Sequence, residues 1–488
     1  MAQQEWSLQD LLSDRELSVP SVTVTGIALD SRKVTPGNLF IAVHGAVQDG
    51  ARYIDAAVAA GARVIVGENE RPNSLAPHIV YQRVKDSRET AASVAARFFP
   101  KQPDTIVAVT GTSGKSSVVD FYRQIMTQLG YEAASLGTIG VTTSKGVSYG
   151  TLTTPDSISL HEMLQQLSEE GITHLAMEAS SHGIDQRRLD GVHLSAAAFT
   201  NIGRDHLDYH KTVEAYIDAK LRLFDKLLPE NGQAVINKDG AYAERFLEVA
   251  QKHHFPIVST GYNGHTLKLE HVTVKGFSQE LLIRYEEKEY RILLPLAGEF
   301  QAENALVAAG LALTSLGKEK VSDILQSLAS LRGVKGRLER VGKANGALCV
   351  VDYAHKPDAL SQVLDTLRPF VQGRLICIFG CGGDRDHGKR PIMGKIAVEK
   401  ADIVIVTDDN PRSEDPASIR AEILAAAPGA EEAGDRREAI LSAVRRLQPG
   451  DILVAAGKGH ETGQIAGDKT LPFSDELEIK NAIKEVFQ

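Results

Sequence analysis

The sequence predicts an α/β protein of three domains, built on mostly parallel sheets. Three observations carry this. Short apolar runs of strand character alternate with helical apolar spacing along most of the chain, the rhythm of βαβ units. One such run ends in a small-residue turn, then Lys and two Ser at a helix start: Thr105-Ile-Val-Ala-Val-Thr-Gly-Thr-Ser-Gly-Lys-Ser-Ser117. The rhythm is interrupted at Pro100-Lys-Gln-Pro-Asp104 and Leu331-Arg-Gly-Val-Lys-Gly336, read as a linker and a hinge. The expected domains are therefore 1–103, 104–332 and 333–488, in keeping with a soft prior of about 150 residues per domain.

The first segment holds an extended stretch over Ser21–Leu29, a helical pattern over Tyr53–Ala60, a strand-like run at Arg63–Val66 and a helix over Asp86–Phe99. On that helix Ala92, Ala95, Ala96 and Phe99 share a face. In the second segment the strand Thr105–Thr110 is followed by helix to Leu129. Helix Ile158–Glu169, strands His174–Met177 and Ala196–Phe199, and helix Val213–Leu228 continue the alternation. Residues 266–295 read as β-hairpins, and Ala302–Leu316 as helix. The third segment has buried strands at Leu348–Val351, Leu375–Phe379, Ile403–Val406 and Ile452–Ala455. Helices are expected at Ala359–Leu367, Ser418–Ala427 and Arg437–Leu447.

Composition narrows the function classes. With 54 Lys plus Arg against 63 Asp plus Glu, the net charge is −9, so the basic footprint of a general nucleic-acid binder is missing. An anionic ligand must then be held by local positive groups. The three cysteines, Cys349, Cys377 and Cys381, make no disulfide framework, which fits a reducing cytoplasm. No signal peptide is visible at Met1-Ala-Gln-Gln-Glu-Trp6, and no apolar run approaches a bilayer span.

The glycine loop is a phosphate cradle by its chemistry. Gly111, Thr112, Ser113 and Gly114 let backbone N–H groups turn inward. The helix start adds positive potential, Lys115 adds charge, and Ser116 and Ser117 add hydroxyls, Ser116 where a magnesium-binding hydroxyl belongs. The full Walker pattern places glycine five residues before Gly114; Val109 stands there. The strings Met177-Glu-Ala-Ser-Ser-His-Gly183 and Thr200-Asn-Ile-Gly-Arg-Asp-His-Leu-Asp-Tyr-His210 each follow a strand, at the ligand edge of an open sheet. Glu178 and His206 offer a carboxylate and an imidazole to a divalent cation, which ATP chemistry requires. Read from spacing alone, the same residues also suit polar loops and a helix cap.

These strings resemble the Mur ligase superfamily of ATP-dependent, three-domain amide-forming enzymes. The resemblance implies an N-terminal UDP-sugar domain, a central ATPase-like domain and a C-terminal Rossmann-like domain. It implies Mg2+ on Ser116, Glu178 and His206, and a carbamylated Lys220 as a further anionic ligand. By spacing, Lys220 is one of several lysines on an amphipathic helix. Leu29-Asp-Ser-Arg-Lys33, including Ser31, and His44-Gly…Asp49-Gly50 resemble the sugar-binding domain of the branch that adds the third amino acid to UDP-MurNAc-dipeptide. Thr153, Thr154, Ser180, Gln186, Arg188 and Lys220 match that branch's substrate positions. Asn304, in Gly298-Glu-Phe-Gln-Ala-Glu-Asn304, matches an adenine contact, with Gln301 where Asn is usual. Arg337 and His355 match residues that close on ATP.

Asp409-Asn-Pro-Arg412 matches the diaminopimelate-adding members, together with Arg385, Gly457 and Glu461. The chemistry agrees: meso-diaminopimelate is lysine with an extra carboxylate, and a guanidinium at Arg412 pairs with such a group bidentately. The implied reaction joins this amino acid to the D-glutamyl γ-carboxylate of UDP-MurNAc-L-Ala-D-Glu through an acyl phosphate, in cytoplasmic peptidoglycan precursor synthesis. Lys115, Lys220, His206 and Arg337 would do the catalytic work, in a monomer with no nucleic-acid or membrane partner. A folylpolyglutamate synthase would share the ATP loop and metal strings but not Asp409–Arg412 or the N-terminal domain. A nucleotide-dependent switch would hydrolyse nucleotide without an amino-acid acceptor.

Overall fold

The computed structural model describes residues 5–12, 19–45, 49–148, 153–203 and 205–487. They form two compact units. One holds the chain up to Leu269 with Arg284–Lys288 and Asn304–Ser327, the other Glu270–Ile283, Glu289–Glu303 and the remainder from Leu328.

The first unit opens with a four-stranded parallel sheet, Ile27–Ala28, Leu39–Ile41, Val64–Gly67 and Val80–Arg83 in that order. The helix Ser87–Phe98 is started by Asp86, whose carboxylate accepts from the N–H groups of Arg88 and Glu89. The expected extended stretch at Ser21–Leu29 is split into two short strands, Thr23–Val24 and Ile27–Ala28, by the turn at Thr25–Gly26.

The larger sheet of this unit runs, in spatial order, Ala133–Gly137, His174–Glu178, Thr105–Thr110, Leu194–Phe199, Gln233–Asn237, Ile257–Gly261, all parallel. Thr105–Thr110 is central and has Ile106–Val109 fully buried, as a two-face-covered parallel strand must be. The strands His174–Glu178 and Leu194–Phe199 flank it, so all three C-terminal ends come to one edge. The helix expected at Val213–Leu228 is regular only to Arg222 and finishes in a π-helical turn, Leu223–Leu227. Residues 266–295 form three strands, Leu267–Lys275, Ser278–Tyr285 and Lys288–Leu294.

The second unit carries a six-stranded sheet in the order Glu339–Ala344, Ala347–Asp352, Ile452–Ala456, Leu375–Phe379, Ile403–Val406, Glu431–Glu432, with only the first pair antiparallel. Alternation along the strands feeds two cores. Val350, Cys377, Phe379 and Val404 face the helices Pro357–Leu367, Lys389–Lys400 and Pro416–Leu424. Cys349, Val351, Ile376 and Ile405 face Arg436–Arg445 and Asp475–Phe487. The cysteines are thus core residues; burial raises the thiols of Cys377 to about 12 and Cys381 to about 11. No helix among the described residues is long and apolar enough to cross a membrane.

Candidate active site

The glycine loop lies between the end of Thr105–Thr110 and the helix Lys115–Gln128. Gly111 and Gly114 have φ of 146° and 86°. At Gly114 a Cβ would run into the Asn304 side-chain oxygen, so Asn304 lies directly against the loop. The loop is held from outside: the Thr112 N–H donates to the Asn201 carbonyl (2.8 Å), the Ser113 N–H to Asn201 Oδ1 (3.0 Å), and the Thr200 hydroxyl to the Ser113 carbonyl (2.7 Å). Lys115 Nζ donates to the Gly111 and Thr112 carbonyls, both at 2.9 Å. Ser117 is buried at the helix start.

Glu178 ends its strand beside this loop and is buried. Its Oε1 accepts from the Ser116 hydroxyl and from the Thr138 N–H, both at 2.8 Å, and Oε2 accepts from the Thr138 hydroxyl at 3.2 Å. Thr138 Oγ1 is 3.1 Å from Thr153 Oγ1. Thr154 Oγ1 lies 3.0 Å from Ser180 Oγ and donates to the Glu178 carbonyl. Arg188 donates to the Thr154 carbonyl (2.6 Å) and to Gln186 Oε1 (2.7 Å). The glycine loop, the carboxylate and Thr153, Thr154, Ser180, Gln186 and Arg188, the positions expected to meet substrate, therefore form one connected network. Thr138 is a member that sequence reasoning missed; it lies in a Gly137-Thr-Ile-Gly140 turn without a motif of its own.

Lys220 is almost fully buried. Its Nζ donates to the Gly111 carbonyl at 2.8 Å and sits 4.5 Å from the centre of the Tyr216 ring. Burial, and then Lys115, hold its amine well below the usual lysine range. The Tyr216 hydroxyl is 3.0 Å from Thr112 Oγ1 and was not anticipated. The His206 backbone is left-handed (φ 53°), Nε2 is 3.5 Å from Asp205, and its ring meets His182 edge-on at 4.7 Å. No group of three His, Cys, Asp or Glu side chains fit to hold a metal occurs among the described residues.

In the N-terminal sheet region, Asp30 caps the turn Ser31–Lys33 just after Leu29. His44 and Asp49 pair at 3.6 Å, and Asp49 caps Ala51.

In the second unit, the Arg337 guanidinium lies 4.9 Å from the Tyr353 ring centre, and its Nε is buried without a hydrogen-bond partner. Asp352 is buried near it and accepts from the Leu338 N–H at 2.7 Å; burial raises its carboxyl to about 6. Burial also lowers the His355 imidazole to about 4. Gln301 is buried and lines a cavity of about 820 Å³ with Leu296, Arg332 and Arg340.

Asp409, Asn410 and Pro411 are buried at the end of the strand Ile403–Val406. Gly457, at φ 117°, leaves room for Asp409, whose carboxylate a Cβ there would crowd at 2.7 Å. Asn410 Nδ2 donates to Glu461 Oε2 at 2.9 Å. Arg412 is half-buried and left-handed (φ 52°), with Nη1 donating to the Gly383 carbonyl at 2.9 Å. Within salt-bridge distance it has no carboxylate partner among the described residues. The Ser413 hydroxyl donates to Asp384 Oδ1 (2.6 Å), stapling this loop to the one that carries exposed Arg385. The predicted amino-acid residues are thus brought together.

Comparison with known proteins gives the class. Residues 109–312 match the Mur ligase middle domain, 336–459 the Mur ligase glutamate ligase domain, and 23–99 the Mur ligase family catalytic domain. The chain belongs to the Mur ligase family and is an ATP-dependent ligase. It is 54% identical over 483 residues to the UDP-N-acetylmuramoyl-L-alanyl-D-glutamate–2,6-diaminopimelate ligase of Bradyrhizobium diazoefficiens, covering 98% of this chain and 99% of the relative. Against the ligase of the same name from Agrobacterium fabrum it is 52% identical, covering 96% and 95%. A solved structure of a ligase of that name superposes with a TM-score of 0.73 at 33% identity over 99% of both chains. A Mycobacterium tuberculosis folylpolyglutamate synthase, at 18% identity and a TM-score of 0.62 over 76% of this chain and 92% of its own, shares the fold alone.

Proposed function

We propose that this ligase joins meso-diaminopimelate to the D-glutamyl γ-carboxylate of UDP-MurNAc-L-Ala-D-Glu, releasing ADP and phosphate. The observation that carries the choice of amino acid is Arg412: a half-buried guanidinium held by the Gly383 and Asn410 carbonyls and, among the described residues, with no carboxylate within salt-bridge distance. A diamino acid with a distal carboxylate supplies that partner, and its ammonium suits Glu461.

The division of labour is sugar nucleotide on 1–103, ATP on 104–332 and amino acid on 333–488. The loop Gly111–Ser117 cradles the phosphates, with Lys115 swinging from its loop carbonyls to the γ-phosphate. Asn304 and His355 serve the base side, and Arg337 the phosphates. Leu29, Ser31, Thr153, Thr154, Ser180, Gln186 and Arg188 bind the UDP-MurNAc-dipeptide, while Arg385, Asp409, Asn410, Pro411, Arg412, Gly457 and Glu461 bind diaminopimelate. The buried Glu178 carboxylate bonded to the Ser116 hydroxyl is a hard oxygen pair beside a phosphate loop, the donor chemistry Mg2+ takes. Ser116, Glu178 and His206 would hold that ion, which neutralises phosphate charge when bound. Burial and Lys115 hold the Lys220 amine well below the usual lysine range, which favours the free lone pair that would add CO2 with loss of a proton; the carbamate would be a further anionic ligand.

The γ-carboxylate attacks the γ-phosphate of ATP, giving an acyl phosphate. The diaminopimelate amine then adds to the acyl carbon, and phosphate leaves. Positioning and charge stabilisation supply the rate. The enzyme acts as a cytoplasmic monomer in peptidoglycan precursor synthesis. The test is phosphate release measured with each substrate omitted in turn. Release that requires both the UDP-MurNAc-dipeptide and diaminopimelate supports the reading; release from ATP alone at the full rate overturns it.

A further inference from the structure

We propose that Lys458 is the positioning residue of the amino-acid pocket. Its ammonium fixes the Asn410 amide and one Glu461 oxygen, leaving the other Glu461 oxygen to the substrate ammonium. The inference rests on the assignment of that pocket to diaminopimelate.

The side chain of Lys458 is completely buried, whereas that of Glu461 is 31% exposed. Nζ donates to Asn410 Oδ1 and to Glu461 Oε2, both at 3.0 Å. Asn410 Nδ2 donates to the same Glu461 oxygen at 2.9 Å, and the Ile465 N–H donates to Asn410 Oδ1 at 2.9 Å. Lysine, amide and carboxylate therefore close a three-membered ring of contacts. The ring dictates which way the amide faces: a flipped Asn410 would set its NH2 group against the ammonium and the Ile465 N–H, and its oxygen against the carboxylate. Both side-chain hydrogen bonds of Glu461 are accepted at Oε2, and the side chain remains 31% exposed.

What separates this role from that of an ordinary internal ion pair is the bridge: one ammonium holds both the amide and the carboxylate of the pocket. Here the lysine is sealed and its acid is open toward the pocket. Asn410 also accepts from Arg412 through its backbone carbonyl, at 3.4 Å, so the same ring steadies the turn that presents the guanidinium.

The experiment is steady-state phosphate release by the full enzyme and by Lys458→Met, with diaminopimelate, ATP and UDP-MurNAc-dipeptide varied in separate series. Losing a charged donor should raise KM for diaminopimelate at least about tenfold. The KM values for ATP and dipeptide should stay within about twofold, because no contact of Lys458 reaches their sites. Should Lys458→Met fail to fold, Lys458→Gln, which keeps a donor without the charge, carries the same comparison. An unchanged diaminopimelate KM in the soluble variant overturns the proposal. So does a parallel rise of all three KM values with a lowered Tm, the mark of a merely structural lysine. Wild-type phosphate release that ignores diaminopimelate overturns the pocket assignment first, and this inference with it.

Discussion

Replacing Arg412 with alanine should collapse the discrimination between diaminopimelate and lysine while leaving the fold intact. The loop survives the change. Its two backbone bonds, Arg412 N–H to the Ile465 carbonyl (3.1 Å) and Gly467 N–H to the Arg412 carbonyl (2.6 Å), need no side chain. The left-handed φ of 52° is equally uncomfortable for arginine and alanine, since both carry a Cβ. What disappears is the guanidinium, with its 2.9 Å bond to the Gly383 carbonyl and its pair with the substrate's distal carboxylate. A charge-assisted pair is worth about 1.5–3 kcal/mol. Because Arg412 is half-buried, screening takes the lower part of that range, about 1.5–2.5 kcal/mol. This corresponds to a fall in kcat/KM for diaminopimelate of about 10- to 70-fold. Lysine never forms the pair, and in the wild type it leaves the guanidinium desolvated, so its kcat/KM should hold or rise. Phosphate release with the two amino acids side by side, in wild type and Arg412→Ala, gives the ratio. A wild type that prefers lysine, or a ratio the substitution does not move, refutes the reasoning.

Three further outcomes are expected. Lys115→Ala should reduce ATP-dependent turnover by at least about a thousandfold, as loss of a phosphate clamp does, with far-UV circular dichroism unchanged; near-normal kcat would remove Lys115 from the phosphate site. Lys220→Ala should be nearly inactive and partly restored by short carboxylates, whereas mass analysis of active wild type that finds only the bare amine would exclude the carbamate. Asp352 gives a pH signature. Its folded carboxyl, raised from 3.8 to about 6 by burial, holds a proton that the unfolded chain has already lost. Its contribution to stability is therefore full below about pH 4 and declines as pH rises to about 6. Asp352→Asn carries no such proton, so the Tm of the variant relative to wild type should climb between pH 4 and 7; a constant difference across that window would contradict the burial of the charge.

Sequence reasoning reached what is written in local pattern. The strand–loop–helix at Thr105–Gln128 is legible because β-branched apolar residues, two glycines with positive φ and a lysine fall in order within one short stretch. The strand ends that carry Glu178 and Asp409 are legible for the same reason, each following an apolar run. What was not legible depends on partners far away in the chain. Ala133–Gly137 is a strand of small residues, Ala-Ala-Ser-Leu-Gly, and its pairing with His174–Glu178 and Gly140–Thr143 makes it one. Thr138 matters because Glu178, forty residues later, accepts from it twice. The π-helical turn at Leu223–Leu227 continues an unbroken apolar period that spacing cannot distinguish from regular helix. Buried lysines make the point most sharply. Lys220 and Lys458 look like surface cations in sequence, one on an amphipathic helix and one between two glycines. Burial gives each a different chemistry. Burial and then the neighbouring Lys115 hold the Lys220 amine well below the usual lysine range, although the Gly111 carbonyl and the Tyr216 face are both partners that suit an ammonium. Lys458 meets a carboxylate and an amide oxygen, which keep its ammonium bonded. The same residue type thus lies against a glycine-loop carbonyl and another lysine in one unit and against a carboxylate and an amide oxygen in the other, and only the folded surroundings decide which.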